Sequence, residues 1–73
     1  MKDPIRDRIV TLLGAGPLTY ADLMAEIAGR GGMPRRGVEV ALNGLVGERL
    51  VLGRVEHQYC LSATGLELFR SLR

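Results

Sequence analysis

The feature that most constrains this chain is an amphipathic stretch covering residues 34–51. Its apolar residues recur three and four positions apart, which is the spacing of a helix face packed on a core. They are Val38, Ala41, Leu42, Leu45 and Val46. At about 100° per residue, the opposite face carries Arg36, Val40, Asn43 and Gly47, with Glu39 and Gly44 beside them. None of these has a packing role within the domain, so we expect this face to be free to meet a partner.

Length limits the chain to one small domain over residues 1–73. Phe69, Tyr20 and Tyr59 are the only aromatic residues, so the single core is built from Leu, Ile and Val. The net charge of +2 is only mildly basic. Composition alone therefore does not decide between a nucleic-acid partner and a protein partner, and the placement of the arginines has to do so.

Cysteine content and hydropathy predict the compartment. Cys60 is the only cysteine, which excludes an internal disulfide and fits a reducing cytosol. No apolar run approaches the roughly 20 residues that cross a bilayer, and the first residues do not resemble a signal peptide. We therefore expect a soluble cytoplasmic protein with no membrane partner.

Two helices are predicted ahead of the amphipathic stretch. Asp3 fits the N-cap of the first helix, which ends at the glycines and proline of residues 14–17. Leu18 is expected in a short extended link. Thr19 fits the N-cap of the second helix, and Gly29 is expected to end it as a left-handed C-cap.

Two strands and a last helix are predicted after the amphipathic stretch. Alternating apolar residues indicate the strands, which flank a polar tip at residues 54–58: Leu50, Leu52, Tyr59 and Leu61. Either Ser62 or Thr64 caps the last helix, because Thr64 with Glu67 also fits a capping box. Its inward side chains are expected to be Leu66, Phe69 and Leu72.

The order helix, helix, helix, hairpin, helix resembles a winged helix-turn-helix domain. The local residues resemble PadR-like and MarR-like transcription regulators at two places. One is a pattern of an apolar residue, an Ala-Leu pair and a further Leu, each separated by two positions, followed by a Glu-containing turn into a Leu-Val pair. In this chain its residues are Val38, Ala41, Leu42, Leu45, Glu48, Leu50 and Val51. The other is Tyr-Cys-Leu-Ser-Ala-Thr-Gly at residues 59–65. The resemblance implies a mainly α fold with a small β-hairpin: three helices, a two-stranded wing and a short C-terminal helix.

The resemblance also implies that the chain is a small DNA-binding transcriptional regulator whose partner is double-stranded DNA. The third helix (residues 34–48) would lie in the major groove and the wing tip (residues 54–58) on the flanking backbone. The implied base contacts are Arg36, Val40 and Asn43, and the implied phosphate contacts are Arg30 and Arg35. The implied wing contacts are Arg54, His57 and Gln58. Arginine pairs with guanine, asparagine with adenine, and a valine methyl packs on thymine, so the chemistry fits these roles.

A second hypothesis treats the same fold as a protein-interaction module, meaning a subunit, adaptor or inhibitor. The wing carries few basic residues, and Glu39 places a negative charge on the face expected to read DNA. An exposed Val40 with Gly44 and Gly47 beside it suits a protein interface. A homodimer through the first and last helices is compatible with both hypotheses.

The sequence offers no case for an enzyme, a metal or a cofactor. His57 and Cys60 are spaced as H-x-x-C, but a metal site needs three or four ligands and no other His or Cys exists. The carboxylates of the first two helices fit caps and solvated faces better than an acid/base pair, because no histidine, serine elbow or Gly-rich phosphate loop accompanies them. They are Asp3, Asp7, Asp22 and Glu26.

Overall fold

Short helices and three very short strands follow one another along the chain. The computed structural model describes residues 3–53 and 57–72. The helices are α1 (Pro4–Gly14), α2 (Tyr20–Met24, continuing as a π-helical segment over Ala25–Arg30), α3 (Arg35–Gly47) and α4 (Ala63–Ser71). The strands are β1 (Leu18–Thr19), β2 (Val51–Leu52) and β3 (Gln58–Leu61). The expectation of a mainly helical domain with a small sheet is therefore confirmed at that level.

Side-chain caps start α1 and α2 at the predicted residues. The Asp3 carboxylate accepts hydrogen bonds from the amides of Ile5 and Arg6 at 3.0 and 3.2 Å. The Thr19 hydroxyl accepts one from the amide of Asp22 at 3.1 Å. Each bond satisfies an amide that has no partner inside its helix, which is why the helices begin there.

The three strands form one antiparallel sheet in the order β1-β3-β2. Leu18, expected in a link, pairs with Tyr59 and so adds a third strand to the two predicted ones. Leu52, one of the alternating apolar residues that predicted the strands, pairs with Cys60 and is 50% exposed. Because successive strand residues point to opposite faces, the buried residue of β2 is Val51.

The core lies between α1, α2 with its π-helical extension, α3 and the inner face of the sheet. Its members are almost entirely aliphatic, as predicted: Ile9, Val10, Leu13, Leu23, Met24, Ile27, Val38, Leu42, Leu45, Val51 and Tyr59. Three of them come from the predicted inward stripe of α3, and all three are at most 1% exposed: Val38, Leu42 and Leu45. The packed face of α3 is therefore the predicted one.

The prediction that Gly29 ends the second helix is wrong. Gly29 lies inside the π-helical segment, and the left-handed residue is Gly32, with φ 69°. The amide of Gly31 donates to the carbonyl of Glu26, five residues earlier, at 3.0 Å. This wider turn carries the helix past Gly29, so the chain reverses three residues later than the sequence pattern indicates.

Ser62, not Thr64, caps α4. The Ser62 hydroxyl accepts a hydrogen bond from the amide of Gly65 at 3.0 Å, and Thr64 lies inside the helix. The same hydroxyl donates to the carbonyl of Arg49 at 2.6 Å. The cap therefore also ties the start of α4 to the turn that follows α3.

The predicted inward face of α4 is partly wrong. Leu66 and Leu72 are 38% and 37% exposed, whereas Phe69 is half-buried. The helix instead packs through Gly65, which is buried, and through Phe69, whose ring occupies the space a Cβ at Gly14 would need. With Leu68, which also packs against the core, these residues form the packed face of α4 and leave Leu66 and Leu72 exposed.

The turn after α3 is a Schellman motif with an arginine at its left-handed position. Arg49 has φ 62° and is the only non-glycine residue of positive φ in the described part of the chain. Its amide donates to Val46 at 3.0 Å, and the amide of Leu50 donates to Leu45 at 3.0 Å. These are the two bonds of the motif, whose left-handed residue is usually glycine.

Replacing Arg49 by glycine is expected to stabilise the fold by about 1 kcal/mol, because the left-handed conformation crowds a Cβ and glycine has none. For a domain of this size, 1 kcal/mol raises Tm by about 4–8 °C. Arg49→Ala is the matched control, since alanine keeps the Cβ and loses only the guanidinium. Thermal unfolding followed by circular dichroism measures both, and a Tm gain in Arg49→Ala equal to that in Arg49→Gly would contradict the conformational explanation.

Candidate functional site

One face of α3 is open to solvent along the whole helix. We call it the α3 outer face, and its residues are all exposed: Arg35, Arg36, Glu39, Val40, Asn43, Gly44 and Gly47. Val40 is 64% exposed, the largest exposure of a large apolar side chain in the described part of the chain. A Cβ added at Gly44 or Gly47 would meet no atom within 4 Å, so neither glycine is required by packing.

Contacts with α1 hold α3 in place at both ends. Near its start, a Cβ at Gly37 would lie 2.9 Å from the Ile5 side chain, so the two helices approach closely there. At its end, the Arg6 guanidinium binds both carboxylate oxygens of Glu48, with Arg6 Nη2 2.9 Å from Glu48 Oε1. These hydrogen bonds lower the pKa of the Glu48 carboxyl below its ordinary value. These contacts with α1 therefore fix the orientation of the α3 outer face.

A side-chain hydrogen bond joins α2 to the α3 outer face. The Tyr20 hydroxyl donates to Glu39 Oε1 at 2.7 Å. This bond, with partial desolvation, raises the pKa of Tyr20 above its ordinary value of 10.0. An open groove of about 450 Å³ lies beside the bond, between α2 and the start of α3, and Arg35 forms part of its lining.

The two arginines of the α3 outer face have no acidic partner among the residues that the structure describes. Glu39 lies three residues after Arg36 and four after Arg35, which is the spacing of helical ion pairs. Within residues 3–53 and 57–72, however, the ion pairs shorter than 4.0 Å are Arg6–Glu48 and Arg30–Glu26. Tyr20 holds one oxygen of the Glu39 carboxylate, and neither guanidinium group lies within 4.0 Å of a carboxylate of the described residues.

The other predicted site residues are less closely grouped. Arg30 ends the π-helical segment, with its side chain 79% exposed, and pairs with Glu26 at 3.3 Å. His57 and Gln58 are exposed at the start of β3, and Gln58 pairs with Thr19 of β1. Arg54, the remaining predicted wing contact, lies outside the described residues. The structure thus brings together four of the predicted residues on α3: Arg35, Arg36, Val40 and Asn43.

Sequence reasoning missed the bond between Tyr20 and Glu39. Tyr20 is half-buried at the start of α2. A half-buried tyrosine usually finds a hydrogen-bond partner for its hydroxyl, which was the available signal. The sequence did not indicate which residue is the partner, because Glu39 lies 19 residues away on another helix.

Comparisons with protein-family models, with curated proteins and with solved structures found no match to this chain. Within residues 3–53 and 57–72, no group of three His, Cys, Asp or Glu side chains is placed to hold a metal ion. None of the helices described has the length and hydropathy to span a membrane.

Proposed function

We propose that the chain is a winged helix-turn-helix domain that binds double-stranded DNA as a transcriptional regulator. The order of elements supports this, because two helices joined by a short turn precede an antiparallel strand pair and a further helix. The sheet order β1-β3-β2 also supports it, since a strand before α2 then lies beside the hairpin. In this proposal α3 is the helix that enters the major groove.

The observation that carries the proposal is the pair of unneutralised guanidinium groups at the start of the α3 outer face. Positive charge near a helix N-terminus is mildly unfavourable. Arg35 and Arg36 both lie there, exposed, and no carboxylate of the described residues neutralises them. An anionic partner outside the molecule removes this disadvantage, and the phosphate backbone of DNA is such a partner.

The proposed contacts divide into base reading and positioning. Arg36, Val40 and Asn43 lie on one line of the α3 outer face and are assigned to base edges. Arg35 and Arg30 lie toward α2 and are assigned to phosphates, which position the domain without reading sequence. Arg30 has to leave its exposed ion pair with Glu26, a change of low cost at the surface.

Duplex binding that weakens steeply with salt is the expected result. Each phosphate neutralised contributes a slope of about −0.9 to log K against log salt, so the two phosphate contacts assigned to Arg30 and Arg35 weaken binding roughly 12-fold between about 50 and about 200 mM salt. Selection from a random duplex library at low salt supplies the sequence, and anisotropy titrations of that duplex supply the slope. Failure to bind any duplex at the lowest salt would refute the proposal.

The alternative function is that of a protein-interaction module, which is favoured by the solvent exposure of Val40 and of the backbone near it. Val40 is 64% exposed, and the backbone at Gly44 and Gly47 is bare enough for another chain to approach it closely. A purified partner that binds one to one, survives nuclease treatment and is lost in Val40→Asp would favour this function. Duplex selection and partner binding thus separate the two hypotheses.

A further inference from the structure

Glu39 is the one residue of the α3 outer face that opposes binding to DNA by its charge. A carboxylate brought toward a duplex is repelled by phosphates and loses hydration. Two observations nevertheless place it among the base-reading residues. It is exposed, and at about 100° per residue it lies only about 40° around the helix from Asn43 and about 60° from Arg36.

The Glu39 side chain is also held in one orientation. Its Oε1 accepts the Tyr20 hydroxyl at 2.7 Å, across the junction of α2 and α3. No hydrogen bond or ion pair of the described residues engages Oε2. A long side chain that is fixed before binding loses less entropy when it makes a contact than a free one does. The arrangement therefore offers one ordered, unused acceptor to whatever meets the α3 outer face.

A carboxylate acceptor discriminates among base edges in the major groove. Only the amino groups of cytosine N4 and adenine N6 donate there, and adenine places the N7 acceptor beside its amino group. A carboxylate is repelled by that N7, whereas cytosine presents no acceptor of its own. On the basis of the proposed function, we propose that Glu39, positioned by Tyr20, reads a cytosine and makes the domain select a C·G pair at one position of its site.

Duplex selection with Glu39 variants tests this inference. Wild-type protein is expected to enrich cytosine at one position, and Glu39→Ala is expected to lose that enrichment by about tenfold while keeping the rest of the motif. Glu39→Gln is expected to change the preference at the same position to adenine, because an amide both accepts from N6 and donates to N7. Tyr20→Phe keeps the carboxylate but frees it, so cytosine enrichment falls by a smaller factor.

Glu67→Gln is the matched control, since Glu67 is exposed on α4 and the substitution removes the same charge. It is expected to select the wild-type motif. Thermal unfolding of each variant confirms that the fold is retained. If Glu39→Gln and Glu39→Ala select the wild-type motif unchanged, the inference is overturned while the proposed function stands. If wild-type protein binds no duplex, the proposed function fails and the inference fails with it.

Discussion

Replacing Arg36 by glutamate is expected to weaken binding to the selected duplex by at least about 100-fold. A bidentate contact to guanine accounts for about 1–3 kcal/mol of discrimination, and the new carboxylate adds repulsion from guanine acceptors and phosphates. Arg36 makes no ion pair within residues 3–53 and 57–72, so no internal ion pair is lost. An acidic residue in the first turn of α3 is also compatible with the helix dipole, and Tm is expected to stay the same or rise slightly.

Arg70→Glu is the control for this prediction. Arg70 is exposed on α4, which packs on α1 and β3, and the substitution changes the net charge by the same amount. Anisotropy titrations at one salt concentration are expected to show at most a small loss for Arg70→Glu. Equal losses in the two variants would mean that net charge, not the α3 outer face, determines binding.

Local sequence signals predicted the parts of the fold that depend on neighbouring residues. Asp3 and Thr19 cap their helices through amides two or three positions away, so a short stretch contains both the cap and its partner. The buried stripe of α3 was predictable for the same reason, since helical period alone places Val38 and Leu42 together. The exposed position of Arg36 followed from that stripe.

Parts of the fold that depend on distant contacts were not predictable from local patterns. β1 is two residues long and becomes a strand only because Leu18 meets Tyr59, 41 positions later. Likewise, the packed face of α4 includes Gly65 and Phe69, which contact residues outside α4. The spacing of the leucines within α4 predicted a different inward face. Gly29 failed as a helix end because a π-helical turn carried the chain past it.

The candidate site divides in the same way. The residues of the α3 outer face were found from helix period, whereas the bond between Tyr20 and Glu39 needed the packing of α2 against α3. That bond changes the interpretation of Glu39. From the sequence its charge favours a protein partner, but in the structure the carboxylate is held by Tyr20, pairs with neither Arg35 nor Arg36 among the described residues, and supplies an ordered acceptor. The charge of Glu39 alone therefore does not decide between a DNA partner and a protein partner.

Replacing Gly65 by alanine is expected to destabilise the fold by about 2–3 kcal/mol, at the upper end of the cost of overpacking a core. Gly65 is buried, and a Cβ there would overlap the carbonyl oxygen of Leu50. That oxygen belongs to the backbone and accepts a hydrogen bond from the amide of Ser62 at 3.0 Å, so it cannot turn away as a side chain would. α4 must move outward, which separates it from the turn that follows α3.

Gly44→Ala is the control, because Gly44 is also a helical glycine but a Cβ there meets no atom within 4 Å. Alanine is the better helix former by about 1 kcal/mol, so this variant is expected to be more stable than wild type. Thermal unfolding should therefore move in opposite directions, with Tm lowered by about 10–20 °C in Gly65→Ala and raised by several degrees in Gly44→Ala. A Gly65→Ala protein as stable as Gly44→Ala would mean that α4 does not pack on the start of β2 through Gly65. The hydrogen bonds of the Ser62 amide and hydroxyl would then hold α4 to the turn after α3 without help from the contact at Gly65.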